Sequence, residues 1–292
     1  AGQDWGANIV TNGTSLNPTK TGFTKLQQSP SVTVDGTEEY ISRPFGNGYD
    51  GVMPATTHYE GGYDLFNDAE NIDVSFLMQG ESAENGTDAA AAGIIGHIID
   101  ICEARKDCIA CISPRYSDVL ADKNDGNSDN TIAFMRTVRK SNYAFADSNF
   151  KYVSDKYNNK FRWVPFNADT AGLMVKSELD RDAWFSPAGL NRGVYRGVVK
   201  TLHTQTKSDR DALYKDAINP VVNFAGQGTI LFGDKTFTMR PSAFSRINVR
   251  RLLLQVRRLV ASASLTLLFE QNDQTIRDQF LAKVEPLLLQ IQ

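Results

Sequence analysis

The pattern closest to a nucleotide site is Gly228-Thr229-Ile230-Leu231-Phe232-Gly233-Asp234-Lys235-Thr236. A phosphate-binding loop needs Lys directly after the second Gly, with a helix behind it whose first amides point at the anion. Here Asp234 intervenes, putting negative charge where phosphates would sit, and the spacer residues form a strand pattern. The segment reads as a strand and tight turn, and no cofactor is expected. Cys108 and Cys111 have C-x-x-C spacing, but a strand sends positions i and i+3 to opposite faces. Neither Cys102 nor His97 completes a second ligand pair at zinc spacing, so the thiols read as small buried hydrophobes and no metal is expected. The histidines are His58, His97 and His203. His97 precedes Asp100 by one helical turn, and Ser113 could approach it from a strand end. No G-x-S-x-G elbow or other nucleophile signature accompanies them. No catalytic residue is expected.

Arginine gives the more informative signal. Over Ser245–Ala263, Val249, Leu252, Leu253, Val256, Leu259, Val260 and Ala263 recur at helical spacing. They form one apolar face that must pack on a sheet or a neighbouring helix. Arg246, Arg250 and Arg257 lie together beside that face, and Arg251 and Arg258 lie further round. At about 100° per residue, Ile247, Leu254 and Ala261 fall between the two arginine groups. No acid occurs from Arg246 to Phe269, whereas a solvated helix usually mixes Glu with Lys and gains i,i+4 pairs. Arg is also the basic residue favoured at interfaces and in bidentate carboxylate pairing. A solvated basic face is one reading. The preferred one docks Arg246, Arg250, Arg251, Leu254, Arg257 and Arg258 onto an acidic protein partner.

The elements that must position these residues are legible in part. Residues 1–70 are rich in Gly, Asn, Thr and Pro, with turn signals at Asn12-Gly13, Asn17-Pro18, Asp35-Gly36, Asn47-Gly48 and Asp50-Gly51. Ser31–Val34 alternates like an edge strand. This stretch reads as an irregular segment with no core of its own. From Asn71 the texture changes: Asn71–Gln79 reads as a strand, Asp88–Lys106 as a helix with Asp88 as N-cap, and Cys108–Ser113 as a short buried strand. The helix carries a stripe of Ile94, Ile95, Ile98, Ile99 and Cys102. Asn130–Asp147 reads as a second helix and Asp169–Leu179 as a third. Phe150–Tyr157 and Lys160–Phe166 form a hairpin around Asn158-Asn159. This order implies an α/β fold: a three-layer domain with a mostly parallel central sheet flanked by helices. After Asn191 the signals are weak until Gly228–Phe237, a strand broken at Gly233-Asp234. Two helices close the chain, Ser245–Ala263 and Asp273–Gln292, the latter kinked at Pro286. The expected division is 1–70, 71–240 and a C-terminal helical part, 241–292.

Composition narrows the function classes. The 292 residues carry 31 basic and 34 acidic side chains, a net charge of −3, which argues against phosphate neutralisation and hence against nucleic acid. The longest apolar run, Ala89–Ile99, is Gly-broken and bounded by Asp88 and Asp100, too short to span a bilayer. Three cysteines fit a reducing compartment. Asn12-Gly13-Thr14 and Asn85-Gly86-Thr87 are glycosylation sequons that mean little without secretion. The start AGQDWG and the end in mid-helix pattern are read as those of a segment from a longer polypeptide.

Several ordered motifs resemble one family. They are Asp50-Gly51-Val52-Met53-Pro54, Tyr63–Val74, Phe161-Arg162-Trp163-Val164-Pro165, Ala171-Gly172 and Ser186–Gly193. Further along come Ile218-Asn219-Pro220, Gly226–Thr236, Arg246–Leu252, Leu268–Asp273, Phe280 and Val284-Glu285-Pro286. Together they resemble the shared domain of contractile bacteriophage tail sheath proteins over about residues 50–292. The resemblance implies a structural subunit with no catalytic residue, found in the virion after assembly in the host cytoplasm. Such subunits form hexameric rings stacked helically around an inner tube, with a baseplate and tail terminator at the ends, and contract to drive the tube through the host envelope. The implied fold is a three-layer α/β domain whose C-terminal helices face the tube, where basic residues meet acidic ones. The resemblance thus assigns Arg246, Arg250, Arg251, Arg257 and Arg258 to tube or inner-ring contact. The family's C-terminal strands, which complete neighbouring subunits' sheets, and much of its outer portion have no counterpart in the sequence. The alternatives are a sheath subunit of a non-phage contractile injection system and, remotely, an α/β hydrolase.

Overall fold

A computed structural model describes residues 54–81, 87–265, 267–271 and 273–289. The expected edge strand at Ser31–Val34, the turn signals before residue 54 and Asn85 of the second sequon lie outside the described residues. Within them, α1 (Thr56–Asp64) leads through a 3-10 turn to β1 (Phe76–Met78), α2 (Asp88–Arg105) and β2 (Ile109–Ile112). Next come α3 (Tyr116–Asp125), α4 (Asp129–Thr137), β3 (Ala144–Ala146), the hairpin β4 (Phe150–Asp155) and β5 (Lys160–Pro165), and α5 (Asn167–Asp180). Then follow β6 (Lys200–Thr201), α6 (Lys207–Lys215), β7 (Val221–Phe224), β8 (Gly228–Leu231), α7 (Ile247–Leu265) and α8 (Gln274–Leu289).

The strands form three small sheets, β1-β2-β3, β5-β4-β6 and β7-β8. Only the first is parallel, in register Phe76↔Ile109 and Ala110↔Ala144; the other two are antiparallel. The fold is therefore mixed α/β rather than one mostly parallel sheet. The difference lies in β4–β8, which pair antiparallel in two sheets of their own instead of extending the parallel one. Residues 138–147, expected to be helical, depart as well. Helix α4 stops at Thr137, Val138 turns extended, and Ala144–Ala146 becomes the third parallel strand. That strand is clamped on its far side by Ser141 N–H to the Phe237 carbonyl (2.7 Å) and Phe237 N–H to the Ala144 carbonyl (2.7 Å). Tertiary pairing outweighs the helical tendency of so short a run.

Strand alternation sorts the core. Ala110, Ile112, Ala144 and Ala146 pack with Ile94, Ile95, Ile98 and Ile99 of α2. The intervening Ile109 and Phe145 pack with Phe166, with Leu173 and Met174 of α5 and with Ile247 of α7. Each fully buried Ile of α2 contributes about 1.5–3 kcal/mol of transfer free energy. The α2 stripe matches its periodicity, but Thr87 is the N-cap, its hydroxyl accepting from Ala90 N–H at 3.4 Å, and Asp88 opens the helix. Helices α3 and α6 are not visible in the periodicity; α3 ends on the left-handed Gly126, whose N–H donates to the Asp122 carbonyl at 2.8 Å, and α6 starts at a capped Thr206. The Asp122 carboxylate at the end of α3 accepts Asn130 and Thr131 N–H and so caps α4, while Thr206 and Asp209 form a capping box on α6. The hairpin stands where expected, with a four-residue loop, 156–159, whose amides of Tyr157 and Asn158 are held by Asp155. Helix α8 begins just after Asp273, whose carboxylate accepts Ile276 N–H at 2.9 Å, and continues through Pro286 to Leu289.

One contact ties the segment after α5 to the β7–β8 hairpin. Gly189 N–H donates to the Leu231 carbonyl and Leu231 N–H to the Gly193 carbonyl. A Cβ at Gly193 would lie 2.7 Å from the Gly189 nitrogen and 2.9 Å from the Leu231 oxygen. Only glycine fits there.

Candidate functional site

Helix α7 begins two residues later than Ser245. Ala243–Ser245 is a 3-10 turn, and the Ser245 hydroxyl serves that turn, accepting Ser242 N–H and donating to the Arg240 carbonyl. Arg246 sits in a β-bridge with Lys235. Its guanidinium pairs with Asp234, the residue that spoils the phosphate-loop pattern, and reaches the Tyr214 hydroxyl at 3.3 Å. The Asp234 carboxylate raises the arginine above its ordinary value.

The helix then packs in an unexpected orientation. Its buried residues are Ile247, Arg250 and Arg251, and Leu254 packs beside Ile247 against the α5 core. The arginine-bearing side therefore faces the body of the domain. Arg250, 4% exposed, lies between the rings of Tyr143 (4.2 Å) and Phe244 (4.3 Å). Arg251, 3% exposed, donates to the Met174 carbonyl (3.0 Å) and the Glu178 carboxylate (2.9 Å) of α5. Burial lowers both below the ordinary arginine value. Arg258 donates to Ser75 Oγ and Asp73 Oδ1, each at 3.1 Å, beside β1. Arg257, exposed, donates to the Lys106 carbonyl at the C-terminus of α2 (3.2 Å), where a cation complements the helix dipole.

The opposite face carries the apolar stripe. Val249, Leu252, Val256, Leu259 and Val260 are only half-buried and Leu253 is 44% exposed; α8 packs against α7. Of the two packings expected for this helix, on a sheet or on a neighbouring helix, α7 has the second in α8, while its arginine-bearing side takes the carboxylates, carbonyls and rings of the domain body. The acids absent from Arg246–Phe269 come instead from Asp73, Glu178 and Asp234. Asp73 and Glu178 are remote in sequence, and nothing in the local pattern points to them.

The residues weighed for chemistry are occupied elsewhere. His97 Nε2 meets Asp64 Oδ1 at 2.9 Å, joining α2 to α1. Ser113 Oγ donates to Asp147, not to a histidine. Cys102, Cys108 and Cys111 are buried free thiols, and burial pushes Cys111 up to about 12. Among the described residues no His/Cys/Asp/Glu group could hold a metal, and no helix is long and apolar enough to cross a membrane.

A family profile, that of the phage tail sheath protein central domain, matches residues 55–237. The chain belongs to the phage tail sheath family. It is 37% identical over 245 residues to the tail sheath protein of Vibrio phage KVP40, covering 79% of this chain and 36% of that protein. It is likewise 37% identical over 227 residues to the tail sheath protein of Enterobacteria phage T4, covering 75% and 34%. The chain thus spans about a third of the length of these curated sheath relatives. Its fold is similar to the helical sheath of the anti-feeding prophage in its contracted state (TM-score 0.61, 18% identity, 80% of this chain and 58% of that one). It is also similar to the PVC sheath complex of an extracellular contractile injection system in its contracted state (TM-score 0.59, 19% identity, 76% and 56%). At that identity the likeness concerns the fold alone.

Proposed function

We propose that this chain is the central portion of a contractile phage tail sheath subunit, a mechanical component of the virion rather than an enzyme. The single observation that carries this reading is the sheath-family match over residues 55–237, reinforced by 37% identity to two phage sheath proteins. The native subunit polymerises as hexameric rings stacked helically around an inner tube, capped by a baseplate and tail terminator, and contracts to drive that tube through the host envelope. The α/β body acts as a three-layer block, and residues 241–292 face the tube. The solved sheaths of contractile injection systems share the fold, but the higher identity to phage proteins favours the phage setting.

The arginine helix has two duties in this reading. Arg250, Arg251 and Leu254 anchor α7 to the body. Arg246, Arg257 and Arg258 keep enough exposure to meet an acidic partner while bonded within the chain. Contraction needs no bound nucleotide: interfaces better paired in the contracted state supply the work once the trigger lowers a barrier. Co-sedimentation of the native gene product with polymerised inner tube tests the role. Co-pelleting without nucleotide is expected; failure to pellet with the tube, or stoichiometric ATP turnover, would contradict it.

A further inference from the structure

The turn after β1, the start of α3 and one face of the β4–β5 hairpin enclose a hollow of about 370 Å³, lined by Glu81, Tyr116, Phe150 and Trp163. That volume lies toward the lower end of the range for sites that take small groups. Each wall is set by its element. Trp163 of β5 stands opposite Tyr152 of β4 in the antiparallel register, and Phe150, two residues before Tyr152, shares that face. Tyr116 opens α3 and meets Phe150 edge-on, with ring centroids 5.6 Å apart and planes at 82°. Its ring lies 6.3 Å from that of Trp163, tilted by 44°. Phe150 is buried, and Tyr116 and Trp163 are half-buried. A parallel stack would leave no space between rings; these three stand at angles and form a cage.

Glu81 brings charge to the rim. The preceding Gly80 turns through a left-handed φ of 61° and is clamped by Asn167. The Asn167 side-chain oxygen accepts Gly80 N–H at 3.1 Å, and its amide donates to the Gly80 carbonyl at 3.0 Å. Glu81 is exposed and, among the described residues, has no ion pair. The cations beside the cage in sequence are committed: Arg115 pairs with Asp88 and Asp118, and Lys151 pairs with Asp169. The hairpin's rings already receive one cation of their own chain. Lys200 Nζ lies 4.8 Å from the Tyr152 centroid and 5.6 Å from that of Trp163. Ring faces attract cations electrostatically, and a carboxylate at the rim adds to that pull.

We propose that this cage receives an arginine side chain from a second copy of the chain. A planar guanidinium stacks on a ring and pairs with a carboxylate at once, which the compact ammonium of lysine does not. The chain carries matching groups. Arg181, Arg196 and Arg240 are exposed and, among the described residues, their side chains have neither a carboxylate nor a ring partner. The second-copy contact rests on the sheath reading, in which subunits polymerise side by side; the preference of the cage for a guanidinium does not.

Two measurements test the contact. In the 292-residue chain, the Trp163 indole resonance is followed by NMR during titration with acetyl-arginine amide. A saturable shift is expected, weakened about fivefold by Glu81→Gln and reduced by salt, while the uncharged acetyl-citrulline amide gives none. No saturable shift, or an equal one with the citrulline amide or with cellohexaose, would overturn the assignment to a cation. In the native gene product, sedimentation reads the polymerised fraction. Glu81→Arg should lower it, and adding Arg181→Glu, Arg196→Glu or Arg240→Glu should restore it in one of the three pairings. If wild type polymerises and Glu81→Arg does so equally, or no pairing restores assembly, the contact is overturned and the sheath reading stands. A wild type that never polymerises removes both.

Discussion

Arg251 of α7 ends on Glu178 of α5, its guanidinium 2.9 Å from the carboxylate and almost wholly out of solvent. The pair sits at the seam between the C-terminal helix and the α/β body. Because Glu178 stays 44% exposed, water screens its half and the attraction itself is modest. The anchoring comes mainly from the buried arginine stem and its bond to the Met174 carbonyl. Arg251→Met, which keeps the volume and discards the charge, should therefore cost less than Arg251→Ala, by about 2 kcal/mol. Urea midpoints at unchanged m-value measure the difference.

Arg250 is held between Tyr143 and Phe244. A planar guanidinium stacks on two rings where an ammonium cannot, so Arg250→Lys should cost about 1 kcal/mol. Arg250→Glu would bury a carboxylate against aromatic rings and should unfold the region. Charge reversal at this position would report on the fold, not on a partner, and circular dichroism with a thermal melt would show it.

These two arginines mark where the sequence is legible and where it is not. The α2 stripe, the β4–β5 hairpin and α5 are long or strongly patterned, and each stands within a few residues of its expected place. Asn71–Gln79 shrinks to Phe76–Met78, and β3, β7, α3 and α6 are short elements set by capping and by pairing with distant chain. The arginine cluster is visible in the sequence, but its orientation is not. Helical periodicity says which residues share a face; it does not say that Glu178 and Asp73 wait on the body to receive the charged one.

Gly193→Ala should cost more than about 3 kcal/mol, since its Cβ would collide with backbone at Gly189 and Leu231 rather than with a side chain that can move. A fall in soluble yield and in melting temperature would confirm it. Wild-type behaviour would mean that the 189–193 turn and β8 are free to move apart.

The three cysteines should be silent to a thiol reagent at pH 8 in the native chain and all react once it is unfolded in guanidinium. Burial excludes the reagent and, for Cys111, also holds the proton on the sulfur. Rapid native labelling of any of them would place a channel into the core.

Arg257 is the position where partner contact can be separated from folding, because it is exposed and, among the described residues, bonded to the Lys106 carbonyl rather than to a carboxylate. Arg257→Glu should leave the melt nearly unchanged and weaken binding to the inner tube by roughly tenfold, more at low salt than at high. Co-sedimentation across a salt series reads both numbers.

Electron microscopy of the native gene product tests the mechanical role most directly. Hollow tubes of six-fold helical symmetry, formed without nucleotide and enclosing the inner tube when it is supplied, are the predicted result. A product that stays monomeric in every condition that polymerises its sheath relatives would contradict the account.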